Sequence, residues 1–470
     1  MDNETIRIAP LKRNIDWKQG LASALGAPIL ILPSIGYFAS LLGPSAIIVW
    51  ILSVIQGSLQ NVAYAELATK FPNASGIPGY TQTILSRQKN SRDGLLAFIG
   101  GLSAWGYLIG WSFVLSIFTL QIGSYLQKLV PALNSLSEVA TSLIIGAVVF
   151  SAIFIVNYRG LGKSAKLAYL LAIISLVPLL VITAAPFITG AFHLTNITDH
   201  WLPADWNWDI PHILFLLGIF GMAEWSACAS EAAAVYGPEY KKPETDLPRA
   251  LFLCGLICFL TYSSVQTAAT GTLGINGILT DRLSPLFPLA QATLGPIGLY
   301  IAILMLIAAM VLLIQMSSIT ASRAMHSMAV QGNLPAVFGR TNKHGTPVTA
   351  MIIVFGLNLV LILVRSPEAI LAASALGYML SHAVTLYCFV KTRVDPVLSR
   401  VPRQFKAPKG WVYIALFYAV FTFPFCFIGL IFLNSKMIGW TPTWIGLAAL
   451  ALYLPLWLVS RKKIIKAKNR

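Results

Sequence analysis

The chain has 470 residues, 57% of them hydrophobic and only 11% charged, with a mean hydropathy of +0.74. That balance excludes a soluble globular protein, because apolar runs of about 20 residues are membrane spans. The formal net charge of +16 does not signal nucleic-acid binding. The basic residues lie between apolar runs rather than in one patch, where they act as topology markers.

The first sixteen residues are polar, and no cleavable signal peptide is expected there. Twelve spans follow. The first five run near 17–40, 44–69, 95–126, 139–158 and 166–187, and the next five near 211–236, 247–270, 295–322, 347–364 and 369–390. The last two lie near 411–433 and 440–460. An even number puts both termini on one side. If that side is the cytoplasm, 29 of the 33 Lys and Arg residues fall inside, and only Lys128, Arg282, Arg365 and Lys436 fall outside. This asymmetry predicts a multi-pass cell-membrane protein with cytoplasmic termini. The basic tail from Arg461 to Arg470 reads as a topology anchor that also attracts anionic lipids. Cys228, Cys254, Cys258, Cys388 and Cys426 all lie inside apolar runs, which predicts buried thiols rather than disulfides. No hydrolytic motif and no phosphate-binding glycine loop is present, so neither an enzyme nor an ATP-driven pump is expected, and nothing calls for a cofactor.

Two spans are irregular. In the first, Gly26 and Pro28 interrupt the apolar run from Leu21 to Leu42. Proline lacks a backbone donor and glycine loosens the chain, so a helix break is expected at a depth where free backbone must line a cavity or be buried in protein. The sixth span carries Gly218, Gly221 and a run of small residues, together with Glu224 and Glu231. A carboxylate at the centre of an inserted helix costs about 2.5–3.5 kcal/mol, so both need an interior or watery setting. The two spans sit five apart and run in opposite directions. Interrupted spans at corresponding places in two halves point to a transporter site near the midplane.

Four stretches then carry a family resemblance. They are Gly26-Ala27-Pro28-Ile29-Leu30; Tyr64-Ala65-Glu66-Leu67 with Pro72, Ser75-Gly76 and Tyr80; Glu231 followed by Lys241-Lys242-Pro243 and Leu247-Pro248-Arg249-Ala250; and Ser322-Arg323 through Gly332-Asn333-Leu334-Pro335 to His344-Gly345-Thr346-Pro347-Val348. Taken in order, they resemble the amino acid–polyamine–organocation superfamily of transporters. The resemblance implies an all-α membrane fold: a five-plus-five inverted repeat with broken helices 1 and 6, and two extra C-terminal helices. On this chain that means a first repeat over 17–190, an extracellular loop over 191–210 and a second repeat over 211–392. A cytoplasmic loop over 393–410, the last two helices over 411–460 and the tail over 461–470 follow, with 1–16 as the cytoplasmic N-terminal segment.

The resemblance also implies a site. Gly26, Ala27 and Ile29 would present N–H groups to a substrate carboxylate at a positive helix end, and Ala227, Cys228 and Ala229 would present carbonyls to its ammonium group. Trp225 would close over the substrate, and Glu231 would gate or relay. Three departures stand out. Pro28 and Ala229 replace family glycines and narrow the pocket, and Ser175 replaces the lysine of proton-coupled members. Pro28 can still serve as the first residue of a half-helix, where its missing N–H is not needed.

Other polar residues keep two readings. Glu224, two turns before Glu231, could receive an amine or face an outer vestibule; His382 could titrate near neutral pH or act as a structural donor. Ser317 and Ser318 could contribute to a sodium site or pack the helix. Glu66 is expected to pair with Arg323 or Lys70 and hold an inner gate. The expected function is secondary transport of an amino acid by alternating access, as permease or exchanger, with an amine or polyamine carrier or antiporter as the alternative. The partners would be that substrate, membrane lipid and a coupling proton or sodium ion. The two midplane breaks disfavour a channel.

Overall fold

The structure is a computed structural model that describes residues 11–86 and 93–468. The first ten residues of the polar N-terminal segment, the basic residues Arg87, Lys89 and Arg92, and Arg470 at the end of the tail lie outside these. The described residues are helical with no strand, and one isolated parallel bridge joins Ile15 to Tyr240.

In chain order the helices are α1 (Trp17–Ala24), α2 (Ile35–Leu42), α3 (Ala46–Lys70), α4 (Gly76–Leu85), α5 (Asp93–Ser112) and α6 (Val114–Leu129). Then come α7 (Glu138–Tyr158), α8 (Leu161–Thr189), the short α9 (Thr195–Thr198), α10 (Ile210–Ala227), α11 (Pro243–Thr280) and α12 (Leu286–Leu294). The chain ends with α13 (Pro296–Val330), α14 (Val348–Leu361), α15 (Pro367–Val394), α16 (Trp411–Phe417), α17 (Phe423–Met437), α18 (Thr441–Ala451) and α19 (Tyr453–Lys468).

Among the described residues, ten stretches are long and apolar enough to cross a membrane, and Val348–Val364 is a shorter apolar helix. The first stretch, Trp17–Lys70, is 54 residues long and contains both the first and the second expected span. The starts of the helices follow the capping chemistry. Asp16 and Gln19 form a reciprocal capping box on α1, Asp209 caps α10, and Ser137 and Ser366 cap α7 and α15. At Asp209, the His212 backbone N–H and then its ring hold the exposed carboxyl below the usual carboxylate range. All five cysteines are free and buried, as their positions suggested.

Close helix crossings set the interior. Lipid tails are as apolar as Leu side chains, so helices in a membrane associate by tight packing at small residues. At the α5–α15 crossing, a Cβ on Gly106 would lie 2.4 Å from the Gly377 carbonyl oxygen, and one on Gly377 would lie 2.8 Å from that of Gly106. At α10–α17, a Cβ on Gly218 would lie 2.4 Å from the Gly429 oxygen. Polar ties join other helix pairs. Trp50 Nε1 donates to Gln266 Oε1 between α3 and α11 at 3.2 Å, and Gln315 Nε2 donates to the Ser164 carbonyl between α13 and α8 at 2.7 Å.

The α5–α15 crossing makes a testable claim. Gly377→Val places side-chain atoms inside the partner backbone, where overpacking costs about 1–3 kcal/mol. We expect a lower melting temperature for the detergent-purified protein. A variant that melts with the parent would mean that these helices do not touch.

Candidate functional site: two broken helices and the cleft between them

The first break begins where α1 ends at Ala24. The chain then runs through two 3-10 turns, Ala27–Ile29 and Leu32–Ser34, before α2 begins. Pro28 sits in the opening residues of the first turn, so its fixed φ fits and its missing N–H leaves no gap. The turns satisfy part of the backbone themselves: Ile29 N–H donates to the Gly26 carbonyl at 3.0 Å and Leu30 N–H to that of Ala27 at 3.2 Å. The Ile29 N–H expected to meet a carboxylate is therefore engaged within the chain. Gly26 is needed for space, since a Cβ there would stand 2.7 Å from Met316 Sδ.

The second break follows α10. From Cys228 to Glu239 the chain is a 3-10 helix of 12 residues, far longer than the three or four at which such helices usually stop. This stretch contains Cys228, Ala229 and Glu231, all buried. α3 approaches it backbone to backbone: a Cβ on Gly57 would lie 2.7 Å from the Ala227 carbonyl oxygen. Its far end is anchored by Tyr236, whose hydroxyl meets the Ser23 carbonyl and Thr320 Oγ1, each at 3.1 Å.

One side chain joins the two breaks. The Tyr262 hydroxyl on α11 lies 2.9 Å from the Ala27 carbonyl and 3.0 Å from the Ser226 carbonyl. A single O–H is thus shared between the first 3-10 turn of one break and the last turn of α10 before the other.

Between the breaks lies a cleft walled by Leu30, Trp111, Trp225 and Tyr378, closed so tightly that no water-sized space remains. Glu231 organises its walls. Tyr378 Oη donates to Glu231 Oε1 at 2.8 Å, Tyr107 Oη reaches both oxygens at 3.0 Å, and Trp111 Nε1 donates to Oε1 at 3.3 Å. All these donors are neutral. Glu224 has a different neighbourhood: the Cys228 thiol donates to its Oε2 at 2.8 Å, while Oε1 accepts from no protein group. The helix ends between them, so the two carboxylates meet different partners rather than sharing one face. His382 Nδ1 lies 2.8 Å from both Tyr64 Oη and Gln60 Oε1, and its ring packs on that of Tyr378 at 4.4 Å between centroids.

The expected gate pair is corrected. Glu66 does pair with Lys70, at 3.7 Å, but its other partners are Arg393 and Arg403 rather than Arg323. Arg323 instead forms a buried, two-pronged pair with Glu239 at the end of the second break. Pro238, next to Glu239, and His326, one turn after Arg323, line a cavity of about 680 Å³ together with Arg13, Lys70 and Gln82. On the other side of the closed cleft, only about 10 Å³ remains among Pro33, Tyr37, Gln121 and Glu368. Of the sodium candidates, Ser318 Oγ donates to the Gln315 carbonyl at 2.8 Å and accepts from Asn157 Nδ2 at 3.1 Å, whereas Ser317 Oγ is buried without a protein partner.

Several members of the site have no motif around them: Tyr107, Trp111, Glu239, Tyr262, Tyr378, Arg393 and Arg403. The available signal was polar tips within apolar runs, since phenol and indole groups buried at depth need partners. Two substitutions test the geometry. Tyr262→Phe leaves two buried carbonyls short of a donor and should destabilise the protein by about 1–3 kcal/mol. Arg323→Gln leaves Glu239 buried alone, for a cost of about 3–5 kcal/mol. Adding Glu239→Gln should recover much of that loss in thermal melts. A double variant as unstable as the sum of its singles would dissolve the pair.

Comparison with known proteins agrees with this geometry. Residues 17–452 match the family described as amino acid permease. An uncharacterized amino acid permease, YecA, of Bacillus subtilis (strain 168) is 27% identical over 366 residues, covering 74% of this chain and 77% of its own. The polyamine transporter PUT1 of Oryza sativa subsp. japonica is 25% identical over 411 residues, covering 82% of this chain and 67% of its own. A probable polyamine transporter of Arabidopsis thaliana, At1g31830, is 26% identical over 331 residues, covering 65% and 59%. With a match that takes in both breaks, the closed cleft and the helices around them, this chain belongs to the amino acid permease family, whose members are transporters and not enzymes.

Proposed function

We propose that the protein is a secondary transporter that carries an amino acid across the cell membrane by alternating access, binding it in the cleft between the two breaks. The observation that carries this reading is the cleft itself. Two helices lose their regular backbone at the same place, face each other across Leu30, Trp111, Trp225 and Tyr378, and share the Tyr262 hydroxyl. Irregular backbone is tolerated at membrane depth only where it is buried in protein or lines a cavity. Gly26, Ala27 and Ile29 would offer their N–H groups to the substrate carboxylate once the 3-10 turns relax, and the carbonyls of Ala227, Cys228 and Ala229 would receive the ammonium group.

The proposed topology has twelve passes with both termini in the cytoplasm. The Trp17–Lys70 stretch supplies two passes, the Val348–Val364 helix supplies the ninth, and the other nine stretches supply one each. The basic-residue asymmetry supports this sidedness. In this reading residues 17–190 and 211–392 are two inverted repeats, and the last two passes are accessory. The cavity of about 680 Å³ is then the cytoplasmic vestibule, sealed from the cleft beside the Arg323–Glu239 pair. α1, α2, α3, α10 and α11 rock against α5, α6, α7, α13 and α14. Glu231 acts as a positioning residue, holding the Tyr107, Trp111 and Tyr378 side of the cleft while the break beside it moves.

A second reading, an amine or polyamine substrate, is favoured by one specific observation. Neither Glu224 nor Glu231 is paired with a cation among the described residues, so a substrate with ammonium groups and no carboxylate also fits. Reconstituted protein separates the two. Labelled alanine and labelled putrescine are offered in counterflow, each against the other unlabelled; the amino acid reading expects saturable alanine exchange that putrescine does not compete. Glu231→Gln should lower exchange at least tenfold with folding retained, and Pro28→Gly should change the ligand profile. Exchange by Glu231→Gln at the parental rate would remove Glu231 from the mechanism, and an unchanged profile for Pro28→Gly would leave the proline as a turn former.

A further inference from the structure

Four glutamates are completely or almost completely buried among the described residues: Glu66, Glu224, Glu231 and Glu239. Their surroundings divide them. Glu66 is met by Lys70, Arg393 and Arg403, and Glu239 by Arg323. A buried charge answered by opposite charge is structural, and breaking such a pair leaves an uncompensated ion. Glu231 has no cation, but three side chains donate to its two oxygens, so its acceptor capacity is well used.

Glu224 is the exception. It is 1% exposed, accepts a hydrogen bond from a thiol, which is a weak donor, has the Gln56 amide beside it, and has one oxygen without a well-formed hydrogen bond among the described residues. The groups facing it from each packed element are neutral. They are Cys228 on the next turn, the Gln56 amide on α3, Cys426 on α17 and Tyr418 just before α17. On α15, which packs against α10, His382 has its Nδ1 held by Tyr64 and Gln60, and its Nε2 has no hydrogen-bond partner among the described residues.

An ionised carboxylate in this setting, without a cation and at membrane depth, is costly by several kcal/mol. The same group is tolerable as a carboxylic acid, which can donate its own O–H. It lies in the last turn of α10 before the second break, so any movement of that break changes its access to water. Intramembrane carboxylates placed in this way mark proton pathways.

We propose that Glu224 is the proton-carrying residue of the transport cycle. This rests on the transporter reading above. In the closed state described here Glu224 holds the proton. When the cleft opens, its O–H bond breaks, water takes the proton as hydronium on the open side, and the carboxylate is left hydrated. The cleft closes again only when that charge is neutralised, by a proton or by the ammonium group of a bound substrate, so a substrate that crosses one way is exchanged for one proton that crosses the other.

The test uses the full-length protein in liposomes with labelled alanine and labelled putrescine as probes, under an imposed pH gradient of about one unit. One proton per substrate predicts about tenfold accumulation of the transported probe, inward or outward according to the sense of coupling. Glu224→Gln is expected to bring accumulation of labelled alanine down to the equilibrium ratio of about one, and to leave a counterflow exchange of alanine that is flat against pH. Glu231→Gln should instead depress exchange and accumulation together. Should Glu224→Gln fail to fold, Cys228→Ala serves. It removes the thiol donor to the carboxylate, and the pH midpoint of accumulation should move upward because the ionised form loses support. Wild-type exchange of a probe without gradient-driven accumulation would overturn the proton assignment and leave the transporter reading intact. Accumulation by Glu224→Gln equal to the parent's, or an unmoved midpoint in Cys228→Ala, would also overturn it. No saturable exchange of either probe by the wild type would instead overturn the transporter reading.

Discussion

The structure depends on how backbone groups are satisfied where two helices stop being helices. A continuous helix meets this demand internally; a broken one in an apolar surrounding must find partners elsewhere. Here the first break closes part of its own hydrogen bonds in 3-10 turns, and the second extends as a 3-10 helix over 12 residues. Phenols add donors to carbonyls at and beside the breaks: Tyr262 between Ala27 and Ser226, Tyr236 at Ser23, and Tyr240 at Ala233. Each hydroxyl reaches in from a neighbouring segment or a different turn. The breaks are therefore stable only as part of the assembled bundle.

This arrangement also suits movement. A 3-10 hydrogen bond has poorer geometry than an α-helical one and is given up at lower cost. A hydroxyl shared between two carbonyls can settle on either. The two breaks are thus held by exchangeable interactions, while the surroundings are held by close-packed crossings such as Gly106–Gly377 and Gly218–Gly429, which allow little displacement. Between the two kinds of packing stand the ion pairs. Glu66 fastens the end of α3 to α15 and to the segment after it through Arg393, Arg403 and the Ala407 N–H. Arg323–Glu239 fastens the end of the second break to α13.

The distribution of buried charge follows the same division. Carboxylates with cationic partners lie at the ends of helices, away from the cleft. Those without, Glu224 and Glu231, lie at and just beyond the end of α10. Removing a charge from water and leaving it unpaired is too costly to persist without use. The aromatic donors around Glu231 and the near-bare Glu224 are two answers to one problem, the first fixing a wall and the second leaving a group able to exchange a proton.

Much of this was readable in the linear chain. Hydropathy alone places the apolar stretches, Gly26 and Pro28 mark the first break, and the small residues with two carboxylates mark the second, because these are local properties of backbone and solvation. The ordered motifs were enough to suggest the family to which the chain belongs. Partnership was not readable. Glu66 has Lys70 one turn away, but its other cations stand 327 and 337 positions along the chain, and Tyr107 meets Glu231 across 124. Nor did composition indicate that the breaks would be 3-10 turns rather than open chain, or that one tyrosine would bridge them. Those outcomes depend on which helices cross and how closely. The sequence by itself determined where the chain enters the membrane and where it cannot remain a helix. Only the tertiary structure decided which distant side chains complete those places, because hydrogen-bond and ion-pair partners are chosen by proximity in space.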